Sequence, residues 1–379
     1  MTQFATSAPI VLSDWQAQLA ALCVGKSFKR LPTKADEAWK YTALEVALQS
    51  IPVKSAQIEI TKTPAFSAIS QADMTRLRTA SDAGHYTAPY DLTSMYCDVC
   101  TQRLSLDACT EIEPVLRHMN IQGDGLAMTH TMIQVTDGTH QVLIETVDAD
   151  GTSWLNQSVD IQVGTGASLL HIRHYTVPHA AAVMTHSARV QVAKDGRYTA
   201  LIIADHAGLQ RNDIQIDLLG EGAEGQAYGL HLAQGDAHPD LTVLLRHLAP
   251  SCRSDQFVRS IIKDRAQSVF QGKIYVGQVA QQTDGYQLSN AILLSPQATM
   301  QVKPELEIYA DDVKCSHGAT TAPMDEDALF YMRSRGLPEQ TAQKLVMTAF
   351  CAEVLDRVPD EAQREVARER IDAWLSIHL

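Results

Sequence analysis

The stretch KDGRYTALIIAD, Lys194–Asp205, sets a polar turn with one glycine directly before a run of Thr, Leu, Ile and Ala. Turn residues followed by branched apolar residues are the signature of a strand entered through a tight corner. The same figure returns as GTGASLL from Gly164, GEGAEGQAYG from Gly220, KDRAQSVF from Lys263 and SPQATMQV from Ser295. Most of the steps are about thirty residues, with one longer gap before Lys263, a period that suits stacked coils of a β-solenoid in which each coil covers its neighbour's apolar face. A β-sandwich with irregular hairpins also fits short strands separated by turns, and periodicity alone does not separate the two.

Working outward, HTMIQVTD, HQVLIETV, VDIQVG, SLLHIRHYTV, ARVQVAK, IQIDLLG, GKIYVG, NAILLS and LEIYAD continue the strand signal from about His130, and no long helical pattern interrupts them. The two ends read differently. Ser13 and Gln16 form a capping box ahead of Trp15, Leu19, Leu22 and Cys23 on one helical face, with Gly25 as the stop, and TKADEAWKYTALEVAL after Pro32 is a second helical candidate. Near the C-terminus DEDALFYMRSRG ends on Gly336, and Pro338 opens a helix whose apolar stripe is expected at Leu345, Val346, Ala349 and Phe350. Pro359 starts a last helix with Val366, Ala367, Ile371, Trp374 and Leu375 on one side, and Cys351 reads as packing.

The chain has 379 residues, 45% apolar and 20% charged, an ordinary folded composition long enough for two or three domains. Its net charge of −13 argues against a nucleic-acid binder held by phosphate contacts. No apolar run approaches a bilayer span and the N-terminus lacks a secretory pattern, so a cytoplasmic protein is expected. Seven cysteines, an odd number spread along the chain, do not form a disulfide framework. Cys97 and Cys100 have CxxC spacing, but the second half of a zinc site is missing and two unrelated cysteines is the better reading. His231 and His247 flank apolar strand residues and read as satisfied core or edge histidines, and no nucleotide loop, GxSxG or HExxH occurs.

ADDVKCSHGAT, Ala310–Thr320, is the densest group of metal-binding residue types. On a strand Cys315 and His317 project to one face, and thiolate and imidazole both bind iron, zinc and copper. Two ligands do not close a site, so others would come from elsewhere, a second chain included. Asp311 and Asp312 could ligate or orient the imidazole. A strand end with a buried cysteine and a hydrogen-bonded histidine explains the same residues, and the residues alone leave both readings open.

HLAPSCRSDQFVRSIIKDRAQSVFQGKIYV from His247, followed by AQQTDGYQLSNAILLSPQATMQVKPELEIYADDVKCSHGATTAPMDEDALFYMRSRG from Ala280, resembles the core signature of the SufB/SufD family of iron–sulfur cluster assembly proteins. Pro32, Glu37, Trp39, Tyr41 and Thr42 resemble that family's N-terminal Pro–Glu–Trp–Tyr–Thr segment. The form DDVKCSHGAT, without glutamates around the histidine, looks like the SufD branch. After HGAT many relatives carry Val-Gly where this chain has Thr321, Ala322 and Pro323, which leaves the local turn open.

The resemblance implies a mainly β protein, a right-handed parallel β-helix core at 126–322 between an N-terminal helical domain at 1–125 and a C-terminal helical domain at 323–379. It implies a non-enzymatic subunit of a SufBCD complex, paired with a SufB-like paralogue through the β-helices and bound to a SufC-like ATPase through its C-terminal helices. A homodimer of the lone chain is allowed, and neither nucleic acid nor membrane is expected as a partner. No cofactor is expected to stay bound to the chain alone. His317, with Cys315 as a secondary candidate, would be a transient iron or cluster ligand at the partner interface. Two other readings stay open: a SufB-type scaffold, disfavoured because only Cys252 and Cys315 lie in the core, and a metal-dependent β-helix enzyme using Asp311, Asp312 and His317.

Overall fold

A computed structural model of the chain describes residues 33–54, 56–62, 66–68, 100–106, 114–176, 182–205 and 207–378. The expected helix from Ser13 to Gly25, and Pro32, Cys97 and Cys109, lie outside the described residues. The strands in chain order are β1 (Gln57–Lys62), β2 (Phe66–Ala68), β3 (Cys100–Leu106), β4 (Val115–Gln122), β5 (Gly125–Val135), β6 (His140–Ala149), β7 (Ser153–Val163), β8 (Ser168–Thr176) and β9 (Val183–Val192). They continue as β10 (Arg197–Ala204), β11 (Leu209–Leu218), β12 (Glu224–Ala233), β13 (His238–His247), β14 (Arg253–Ile262), β15 (Gln267–Val276), β16 (Thr283–Leu293), β17 (Thr299–Ile308) and β18 (Val313–Ala322).

These strands alternate between two nine-stranded sheets: sheet one in the order β1-β4-β6-β8-β10-β12-β14-β16-β18, and sheet two in the order β17-β15-β13-β11-β9-β7-β5-β3-β2. From β3 and β4 onward every pairing is parallel, giving a parallel β-solenoid of about seven turns. The sandwich alternative is thereby removed, because sandwich sheets are built on antiparallel pairs. The register fixes the coil length: Ser168 pairs with Arg197, Arg197 with Glu224, Glu224 with Arg253 and Arg253 with Asp284. The uneven rhythm of the sequence now has a cause. Gly164, Lys194 and Gly220 all turn from sheet two into sheet one, whereas Lys263 and Ser295 turn at the opposite corner, so the long gap is a change of corner. At the first corner the coils touch through backbone: a Cβ on Gly220 would fall 2.1 Å from the Lys194 nitrogen, and Gly222 takes a φ of +71°.

Alternate residues of both sheets point inward. Val159, Val190, Ile216 and Val243 from sheet two meet Leu169, Tyr198, Ala227 and Val258 from sheet one in the main core. A polar band crosses this core in the early coils. The fully buried Glu145 carboxylate accepts from Arg117 (2.6 Å), His171 (2.9 Å), Gln157 (3.1 Å) and Arg173 (3.2 Å). Burial alone would raise the Glu145 pKa; Arg117, His171 and Arg173 hold it well below the usual carboxylate range. Burial keeps His171 neutral, which leaves its Nε2–H to donate to Glu145 and its Nδ1 to accept from Tyr198 (3.0 Å).

The helices flank the solenoid but occupy less of it than expected. TKADEAWKYTALEVAL forms two 3₁₀ turns, Glu37–Trp39 and Leu48–Ser50, around the one-turn helix α1 (Leu44–Ala47). Its apolar residues Trp39, Leu44, Leu48 and Ile51 pack onto the outer face of sheet two against Trp154, Val183 and Leu209, so tertiary contact overrides the helical pattern. Strands already run from Gln57, and 126 falls within β5. The Arg211 guanidinium lies 3.9 Å from the Trp39 ring centre and bonds to the buried Asp240, which also accepts from the Thr42 hydroxyl. Trp39→Ala is therefore expected to cost roughly 3–5 kcal/mol of local stability. Hydrogen exchange should show 33–54 released from sheet two while β9 to β16 stay protected; unchanged protection of that segment would refute the docking role.

At the C-terminus come α2 (Glu326–Ser334), α3 (Glu339–Leu355) and α4 (Glu361–His378). Asp325 caps α2 through the Asp327 and Ala328 amides, and Gly336 ends it at a φ of +92°. Met347, Cys351, Val354 and Leu355 of α3, with Ala367, Ile371, Trp374 and Leu375 of α4, cover Leu201, Leu230, Phe257 and Ile261 on the outer face of sheet one. The expected α3 stripe is thus corrected: Leu345 is 47% exposed and the buried face is rotated toward Met347 and Cys351. KLVMTAFCAEVL is apolar almost all round, so its spacing could not select a face. In α4 Val366 also turns outward. No helix among the described residues is long and apolar enough to cross a membrane.

Candidate functional site

The solenoid's two ends differ. At the first, β1 runs antiparallel to β4 and β2 antiparallel to β3. At the last, among the described residues, β17 pairs only with β15 and β18 only with β16, so each leaves a free edge. Neither strand holds a buried residue, whereas β16, one coil back, alternates buried and half-buried positions. Met300, Val302 and Leu306 remain half-buried at this mouth although they continue inward-facing apolar rows.

Cys315 and His317 lie on β18, opposite Gly285 and Gln287 of β16. Cys315 packs against the small core of Ile274, Val276, Ala280 and Ala310, which places it on the inner face, and strand alternation puts His317 on that same face. The two residues are thus brought together, but differently exposed: Cys315 is half-buried and His317 exposed. Burial pushes the Cys315 thiol up, so it is protonated near neutrality, while the His317 ring has no hydrogen bond or ion pair among the described residues. Asp311 and Asp312 belong to the turn before β18. The Asp312 amide donates to Gln281 Oε1 (2.9 Å) and its carbonyl accepts from the Gln282 amide (2.6 Å), so this residue shapes the corner. Among the described residues no three His, Cys, Asp or Glu side chains gather as a metal site, so Asp311, Asp312 and His317 do not make one. Strand β18 runs on through Thr321 to Ala322, and Pro323 follows its end.

Two features near the motif were not singled out from the sequence. Gln287 stands one coil behind His317, and Gln256 one coil behind Gln287. The spacing of about one coil between them was the available signal. On the outer side of sheet one, an open groove of 730 Å³ runs past Arg253, Asp255, Tyr286 and Arg357 to Ser316. Two other described cysteines lie away from the motif: Cys252 is buried at a corner with its thiol on the Gly220 carbonyl (3.3 Å), and Cys351 is sealed on the inner face of α3. Cys100 begins β3. His231 and His247 are core histidines, bonded to the Ser268 (2.7 Å) and Ser254 (2.9 Å) hydroxyls.

The profile of the family described as "SUF system FeS cluster assembly, SufBD core domain" matches residues 118–350. The chain belongs to this family. The matched region runs from within β4 through β18 into α3 and includes the last-coil motif. SufD of Escherichia coli is 28% identical across 90% of this chain and 88% of its own length. An iron–sulfur cluster assembly SufBD family protein of Synechocystis is 36% identical over 53% of this chain, and the chloroplastic ABCI7 protein of Arabidopsis thaliana 32% over 60%. The chain spans only 44% and 48% of those two proteins. Within the SufB/SufD family the likeness is to SufD.

Proposed function

We propose that this chain is the SufD-like subunit of a SufBCD-type complex, pairing with a SufB-like paralogue and binding a SufC-like ATPase to support assembly and transfer of iron–sulfur clusters. The observation that carries this reading is the uncapped last coil. Solenoids need a cap, and exposed edge strands invite further pairing. Here two edge strands and the half-buried Met300, Val302 and Leu306 are left uncovered by the described residues, beside the motif that resembles the family's. A second solenoid stacked on this end would satisfy the edges and cover the apolar rows. It would also face His317, and the ligands a lone imidazole lacks would come from that partner. The cluster is cargo: an imidazole at a separable interface can hold it and let it go.

The C-terminal helices support the second contact. With one side of α3 and α4 used on sheet one, Leu345 and Val366 remain exposed, as do Phe330 and Tyr331 of α2, large apolar side chains available to a protein partner. The test is co-purification with a SufB-like and a SufC-like protein. Val302→Glu, which places a charge in the row a partner coil would cover, should abolish pairing with the SufB-like chain and leave ATPase binding. Phe330→Asp with Tyr331→Asp should do the reverse. A folded Val302→Glu variant that still pairs at wild-type affinity would refute the end-to-end arrangement.

A further inference from the structure

Gln256, Gln287 and His317 occupy one inward-facing row of sheet one, on β14, β16 and β18 in succession. The two glutamines do the same thing. Gln256 Nε2 donates across the interior to the Lys273 carbonyl on β15 (3.4 Å), and Gln287 Nε2 donates to the Glu305 carbonyl on β17 (3.5 Å). Lys273 and Glu305 are themselves register partners, so the crossing repeats from one coil to the next. Gly272 makes room for it, since a Cβ there would lie 2.5 Å from Gln256 Oε1. With each nitrogen committed to sheet two, each carboxamide oxygen is the remaining acceptor. Both Gln256 Oε1 and Gln287 Oε1 are buried and accept no hydrogen bond among the described residues. A buried acceptor left unmatched is destabilising, so a donor within reach would relieve it. The neighbour of Gln287 on the open side is His317, on the same face and one strand spacing of about 4.8 Å away.

We propose that Gln287 is the positioning residue for His317: its carboxamide oxygen accepts one imidazole N–H, fixing the tautomer and ring orientation and presenting the other ring nitrogen's lone pair toward the open end. Imidazoles that bind metals depend on such an outer partner. The purpose of the contact rests on the reading of His317 as a cluster ligand, but its existence can be tested without metal.

The test is ¹⁵N spectroscopy of the full, metal-free chain labelled at histidine, at a pH where the ring is neutral, with the His317 signals assigned by their loss in His317→Ala. Wild type should show one dominant His317 tautomer. Gln287→Leu should shift the tautomer ratio about fivefold toward that of an unconstrained imidazole, the ratio that one hydrogen bond of ~1 kcal/mol sets. Gln287→Glu keeps an acceptor and should restore the fixed tautomer. Gln256→Leu loses the same sheet-crossing bond one coil deeper and should leave His317 unchanged. A His317 spectrum indifferent to Gln287→Leu, or equally altered by Gln256→Leu, overturns the proposal. Cluster delivery plays no part in this readout, so its failure and that of the functional reading are separable.

Discussion

His317→Ala should leave the fold and the pairing of the chain intact, yet lower the activity of a cluster-dependent enzyme at least about tenfold in cells that lack other assembly systems. The expectation follows from where the ring sits. His317 is exposed on an edge strand, so its loss opens no buried cavity and, among the described residues, costs at most the bond proposed to Gln287. An effect on delivery without an effect on folding then reports chemistry at the interface. Cys315→Ser should do less, because that thiol packs against Ile274 and Val276 and burial keeps it protonated. The lone chain should bind iron poorly, since one or two ligands cannot complete a tetrahedral site. Full enzyme activity in cells carrying His317→Ala at normal protein level would return the motif to a polar strand end without chemistry.

The solenoid was legible because its physics is local and repeated. A corner such as KDG at Lys194 and an apolar run such as YTALIIA recur once per coil, and each recurrence reports the same two constraints. The corner identities were not legible: Gly220 and Lys263 look alike as turns, and only the pairing shows that they sit at opposite edges. The face of α3 was hidden by its nearly uniform apolarity. The N-terminal segment misled for the opposite reason, since Trp39, Leu44 and Leu48 have helical spacing but spend it on docking to sheet two. At the site, Cys315 and His317 could be placed on one face from alternation alone. What separates them, a core under one and open space beside the other, is a property of the last coil and has no local sequence signal. Gln287 escaped notice because its meaning depends on a neighbour thirty residues on, visible once Gln287↔His317 is a register pair.

Acidification from pH 6.5 to pH 4 should remove about 5 kcal/mol of stability through two core histidines alone. His231 and His247 have no solvent exposure, and burial pushes each down to about 4. For His231, Asp240 opposes that push and His238 adds to it; burial alone acts on His247. Each ring has one nitrogen on a serine hydroxyl and the other without a partner among the described residues, a buried site that cannot solvate an imidazolium. The unfolded chain takes up these protons near pH 6.5 and the folded chain refuses them until about 4. Stability is therefore full above pH 6.5 and falls by about 1.4 kcal/mol per histidine per pH unit across that window. His171 and His186, also pushed down by burial, act in the same direction. Glu145 enters later: its depressed carboxyl gives stability present above the unfolded value near 4.3 and lost only as the pH falls further. The measurement is the thermal midpoint at pH 7, 6, 5 and 4.5 for the wild type and for the double variant His231→Gln, His247→Gln. The variant should start lower at pH 7, having lost native packing, but fall much less steeply between pH 6 and 4.5. Parallel curves for the two proteins would show that these histidines are not what makes the core acid-sensitive.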